Sequence, residues 1–245
     1  MSPRLCLAVA GRILHQLRHD PRTLVIIVAV PLVVLTLLHH LFDGAQPRVS
    51  RLEMVMLAIF PIILMFLLTA VTTVRERTSG TLERLMSTPL GRGDYLLGYA
   101  LAFGLLAAVQ ASVCTAFAHW VLGMQTESPL GWVLLMAVVG SQLGVALGLL
   151  ASAVSRSEFQ AVQLFPALML PQLLLCGLFG PRDQMADWLH AISAVLPLTY
   201  VVEALQELAV QPEPTALFWR DLGITAAVVV VLLALAAVTL RRRTA

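Results

Sequence analysis

Six apolar runs, each long enough to cross a bilayer, decide most of what this chain can become. They are Thr23–Phe42, Leu52–Val74, Leu96–Leu122, Gly131–Val154, Ala161–Phe179 and Leu222–Leu240. About 20 apolar residues span the hydrocarbon core as a helix. The expected fold class is therefore all-α, a polytopic membrane protein with six transmembrane helices in one domain over residues 1–245. Composition agrees. Hydrophobic residues make up 59% of the chain and charged residues 12%, against about 25% charged in a soluble domain.

An even number of spans puts both termini on one side, and arginine placement chooses the side. Arg4, Arg12, Arg18, Arg22, Arg75, Arg77, Arg84, Arg92, Arg156, Arg241, Arg242 and Arg243 share one face. Only Arg48, Arg51, Arg182 and Arg220 lie on the other. The positive-inside rule then predicts cytosolic termini. No cleavable signal peptide is expected, because Arg4, Arg12, Arg18 and Asp20 interrupt the first 20 residues.

Between the spans, three segments carry pattern. In residues 1–20, Leu5, Val9, Ile13 and Leu17 recur among Arg4, Arg12, His15, Arg18 and His19. This predicts an amphipathic helix on the cytosolic membrane surface, broken by Asp20-Pro21. Residues 75–95 read RERTSGTLERLMSTPLGRGDY. Within them Leu82, Leu85 and Met86 fall on one side of a short helix that Pro89 ends. A small amphipathic helix between two spans is a handle for another protein. Residues 180–221 hold two short outer helices, around Met185–Ile192 and Val201–Val210, that lie in the outer interface or dip into the membrane.

Pro31, Pro61, Pro166 and Pro171 fall inside spans. Proline frees a backbone carbonyl, which in a membrane needs a neighbour or a cavity to satisfy it. Kinked spans suit a protein that moves, and static packing accounts for them equally well. Gly140, Gly144 and Gly148 repeat at every fourth position, a face for close helix packing.

Chemistry is sparse. All 16 basic residues are arginine, so the chain has no lysine with which to build a P-loop. Net charge of +2 gives no reason to expect nucleic acid. Cys6, Cys114 and Cys176 have no metal-like spacing and read as packing residues. A serine-protease mechanism would need a histidine at mid-membrane depth. His39 and His40 end the first span, His119 lies near the outer end of the third and His190 is outside, so the histidines read as interfacial. The only acid near a span interior is Glu53. No enzyme activity, catalytic residue or metal site is expected, and an ion-coupled secondary transporter is disfavoured. A non-transporting scaffold or assembly factor remains the competing class.

Residues 75–95 resemble the cytosolic loop of type-2 permeases of ATP-binding cassette exporters, the drug-resistance and nodulation-factor export group. That loop reads ERxxGTLExLxxTPxxxxxxLxG. Glu76, Arg77, Gly80, Thr81, Leu82, Glu83, Leu85, Thr88 and Pro89 match it, with Leu96 or Leu97 and Gly98. Tyr99 stands where the family usually has lysine. LPLTYVVEAL, from Leu196 to Leu205, resembles NPLTYxxEALR, with Leu196 for asparagine and Gln206 for arginine. The resemblance implies a plasma-membrane export permease that pairs with a second permease copy, as a homodimer or with a related chain. Beneath the pair it implies a separate cytosolic ATPase subunit, which holds the ATP and magnesium. Glu76, Gly80, Thr81, Leu82, Glu83, Arg84, Leu85 and Met86 would then form the coupling helix and its lead-in. The N-terminal helix would be the connecting helix. Trp188, Pro197, Tyr200 and Glu203 would belong to an outer lid over the exit path. The charge-poor spans favour a hydrophobic or amphiphilic substrate, such as a drug or lipid-like molecule, in contact with membrane lipid.

Overall fold

The computed structural model describes residues 3–42, 48–79, 91–180 and 182–239. These contain nine α-helices: α1 (Pro3–Arg18), α2 (Pro21–Leu41), α3 (Arg48–Thr78), α4 (Arg92–Trp120), α5 (Leu130–Val154), α6 (Glu158–Leu175), α7 (Asp187–Ser193), α8 (Pro197–Leu208) and α9 (Ala216–Thr239). A single 3-10 turn, Arg182–Gln184, precedes α7. The chain is an all-helical, multi-pass membrane protein. By length and composition α2, α3, α4, α5 and α9 can each cross a bilayer, and α7 with α8 makes a further pair bent by 92°. The run expected at Ala161–Phe179 is α6, only 18 residues long. It is shortened because Cys176 caps it and Gly177 turns the chain with φ +91°, a conformation glycine adopts without strain.

Hydrogen bonds between helix ends sort the bundle into two poles. At one pole α1, the end of α3, the start of α4 and the end of α5 are joined. At the other, His39 Nδ1 near the end of α2 lies 2.8 Å from Glu53 Oε1 at the start of α3. There also Ser128 Oγ, just before α5, donates to the Gln211 carbonyl beyond α8. These ties make α2 to α5 run alternately up and down.

Two buried helices, α3 and α5, form the centre. Their approach is set by glycine. A Cβ on Gly144 would overlap the backbone carbonyl of Ile62, and one on Gly148 would lie 2.6 Å from the Phe66 carbonyl oxygen. Gly140 meets Val201 of α8 at 2.6 Å in the same way. The glycine face therefore packs within this chain. Around the centre, α2 and α9 leave Val25, Val33, Leu37, Val230, Leu235 and Val238 exposed, the side that lipid covers in a membrane.

Helix ends have identifiable causes. Asp20 caps α2, its carboxylate accepting from Thr23 N–H at 3.3 Å and Thr23 Oγ1 at 2.6 Å; these bonds hold the carboxyl below its usual pKa. Pro21 then occupies the first turn. Gln172, inside α6, accepts from Leu198 N–H at 3.3 Å and so satisfies an otherwise orphaned donor in the first turn of α8. Inside α2, Pro31 has no N–H for the Ile27 carbonyl four residues back. Gln110 of α4 fills that gap, its Nε2 donating to the Ile27 oxygen at 2.9 Å.

Three expectations need correction. The apolar side of α1 is covered by protein rather than lipid: Val9, Ala10 and Ile13 join a core with Tyr95, Leu96 and Tyr99 of α4. His39 is a partner of the fully buried Glu53 rather than a simple interfacial side chain. The last helix starts at Ala216, not Leu222, so Asp221 lies within it and is fully buried.

Candidate functional site

The pole that carries α1 is built around the two stems of residues 80–90. One stem is the end of α3, which continues through Arg75, Glu76 and Arg77 to Thr78. The other is the start of α4. Gly80, Thr81, Leu82, Glu83, Arg84, Leu85 and Met86 lie outside the described residues.

α1 is clamped onto α4 because Gly98 has no side chain. A Cβ there would sit 2.6 Å from Val9 Cβ and 3.0 Å from the Cys6 carbonyl oxygen. That contact aims Arg12 across the gap. Its Nη2 donates to Glu76 Oε2 at 2.8 Å and to Tyr99 Oη at 3.1 Å. The side chains of Arg12 and Glu76 are 28% and 11% exposed, so the bond between them contributes about 1.5–3 kcal/mol. Tyr99 itself is fixed in a ladder of rings, 4.4 Å from Tyr95 and 5.9 Å from Phe103.

Neighbouring groups extend the network. Cys6 Sγ donates to Asp94 Oδ1 at 3.5 Å, while Asp94 Oδ2 accepts from Gly91 N–H at 3.3 Å and caps α4. Burial first, and then Asp94, pushes the Cys6 thiol pKa up. Arg77 donates to the Ser152 carbonyl near the end of α5. Arg75 grips Glu158 of α6 with two bonds, 3.0 and 3.1 Å; both side chains are well exposed, and such a pair adds at most about 1 kcal/mol. The stems are thus tied to α1, α5 and α6 together.

The expected outer residues divide. Pro197, Tyr200 and Glu203 all lie on α8: Pro197 starts it, Tyr200 Oη donates to the Ala194 carbonyl, and Glu203 is the hub of an ion network. Glu203 Oε2 accepts from Arg182 at 2.7 Å and from Arg220 at 3.4 Å, and Arg220 also donates to Asp221 at 2.8 Å. One carboxylate therefore links the 3-10 turn, α8 and α9. Trp188 stands apart on α7, 66% exposed. Sequence reasoning missed Arg12, Tyr99, Gln110, Gln172, Arg182 and Asp221 as partners. For Gln110 and Gln172 a signal was available: a glutamine in an apolar run has to find a partner.

The family model for the ABC-2 type transporter matches residues 4–209. The chain is 30% identical over 141 residues to ABC transporter G family member 20 of Dictyostelium discoideum, covering 58% of this chain and 19% of that protein. It is 25% identical over 168 residues to the probable multidrug ABC transporter permease YbhR of Escherichia coli (strain K12), covering 68% and 45%. It is 23% identical over 179 residues to the linearmycin resistance permease protein LnrN of Bacillus subtilis (strain 168), covering 73% and 46%. The chain spans less than half the length of each of these relatives.

Proposed function

We infer that this chain, which belongs to the ABC-2 type transporter family, is the membrane subunit of an exporter driven by ATP that a separate subunit hydrolyses. Its substrate is hydrophobic or amphiphilic, of the drug or lipid-like class. Relatives described as multidrug and linearmycin resistance permeases support that class. Two permease copies form the transport unit, in the plasma membrane, with both termini in the cytosol. ATP and magnesium belong to the partner ATPase, and this chain is not itself an enzyme.

The observation that carries this reading is the Arg12–Glu76 bond, with the contacts beside it. A segment that only links two spans needs no anchorage. Here both stems of residues 80–90 are fastened to α1, α5 and α6. A push on that segment would move five helices at once. Leu82, Leu85 and Met86 would seat in a cleft of the ATPase, and Glu83 and Arg84 would set register through charge. At the other pole, the network on Glu203 would hold the outer lid, with Pro197, Tyr200 and Trp188 around it. The single domain of residues 1–245 supplies both ends.

Co-purification tests the reading. The wild-type chain, extracted from native membranes, should bring down a P-loop ATPase. Leu82→Asp should remain inserted and lose it, because an unpaired charge would be buried at the contact. Undiminished recovery of the ATPase by that variant would remove this helix as the docking element.

A further inference from the structure

The outward side of α1 has a chemistry that anchorage on α4 leaves unused. Its buried side is Cys6, Val9, Ala10 and Ile13. On the opposite side Arg4, Leu7, Gly11, His15 and Arg18 are exposed in one stripe. α1 contains no acidic residue. Arg22, in the first turn of α2, is also exposed. Among the described residues no ion pair engages Arg4, Arg18 or Arg22. The carboxylate between them, Asp20, is occupied by Thr23.

The depth of the stripe is set by α2. Val25 and Ile26 are 63% and 56% exposed, so the lipid-facing side of α2 begins within one turn of Arg22. One turn is about 5.4 Å, which puts Arg22 level with the headgroups. Leu7, exposed among the cations, suits insertion between acyl chains. A face on which Arg4, Arg18 and Arg22 outnumber the one carboxylate, Asp20, next to a span and at headgroup depth, is complementary to anionic lipid. We propose that Arg4, Arg18 and Arg22, with His15, bind the phosphodiester headgroups of anionic lipids in the leaflet at this pole. The proposal rests on the membrane placement in the functional reading, but on neither ATP nor transport.

The test uses the purified full chain in nanodiscs of phosphatidylcholine mixed with phosphatidylglycerol, with retained lipids counted by native mass spectrometry. The wild type should retain phosphatidylglycerol in preference. That preference should fall about fivefold for each arginine replaced in Arg4→Gln, Arg18→Gln and Arg22→Gln, and Arg→Lys at all three should keep it. An unchanged preference in a triple glutamine variant that elutes like wild type would overturn the proposal. Should the triple variant not fold, the wild type decides: the preference must weaken as salt is raised, and salt-independence overturns it. Loss of ATPase binding by the variants with lipid preference intact would assign the face to protein and equally overturn it. Since no ATPase is present in the lipid measurement, its failure leaves the export reading standing.

Discussion

Replacing Gln110 isolates a single bond that holds two spans together. Gln110→Leu removes the donor to Ile27 at 2.9 Å. An interhelical hydrogen bond in a membrane contributes about 0.6 kcal/mol on average and up to about 1.7. The larger cost is the Ile27 carbonyl, which Pro31 leaves without an intrahelical donor and which then has no partner, about 1–3 kcal/mol. Part of this is offset, because Gln110 Oε1 is itself buried without a partner among the described residues. The net expectation is a loss of about 2 kcal/mol. The mechanism shows in a double-mutant cycle. Pro31→Ala restores a backbone N–H that reaches the Ile27 carbonyl, so in that background Gln110→Leu should cost about 1 kcal/mol less. Reversible unfolding in mixed micelles, followed by helical circular dichroism, measures all four corners. Equal costs of Gln110→Leu in the wild type and in the Pro31→Ala background would refute the idea that the glutamine answers the proline.

Further outcomes are expected elsewhere. Gly144→Ala should destabilise by about 1–3 kcal/mol, because the clash is with the Ile62 backbone, which cannot rotate away; Gly131→Ala, with nothing near its Cβ, should be neutral or slightly stabilising in the same assay. Arg12→Ala should cost about 2 kcal/mol and weaken ATPase stimulation, and the swap Arg12→Glu with Glu76→Arg should restore part of both. Cys6 should react with maleimide more slowly than an introduced exposed cysteine at Gly131, most clearly near pH 8–9. Its raised pKa keeps it protonated where an ordinary thiol has begun to ionise.

The spans were legible because apolar length is a local property. Where legibility failed, charge or distance was responsible. Counting apolar residues stopped the last span at Leu222, yet the helix runs back to Ala216 because Arg220 and Asp221 satisfy each other across 2.8 Å. The register of α1 was readable from Val9 and Ile13. What covers them was not, because the cover depends on Gly98, 89 positions after Val9 in the chain. Glu76 was singled out by its motif, but its partner Arg12 lies 64 residues away and no periodicity points to it. The prolines announced free carbonyls without saying which side chain would answer them. Gly140, Gly144 and Gly148 announced close packing, and only the fold shows Val201, Ile62 and Phe66 opposite them.

The most direct test of the central claim is transport in sealed vesicles holding this chain together with its co-purified ATPase. ATP-dependent movement of an amphiphilic dye is expected, and it should continue when the proton gradient is collapsed. Leu82→Asp should abolish this movement. The described acids within the spans argue the same way. Glu53 and Asp221 lie at one pole and Glu76 and Asp94 at the other, so these acids do not form a chain of proton carriers across the bundle. Movement of the dye by this chain without the ATPase, driven by a pH gradient alone, would contradict the account.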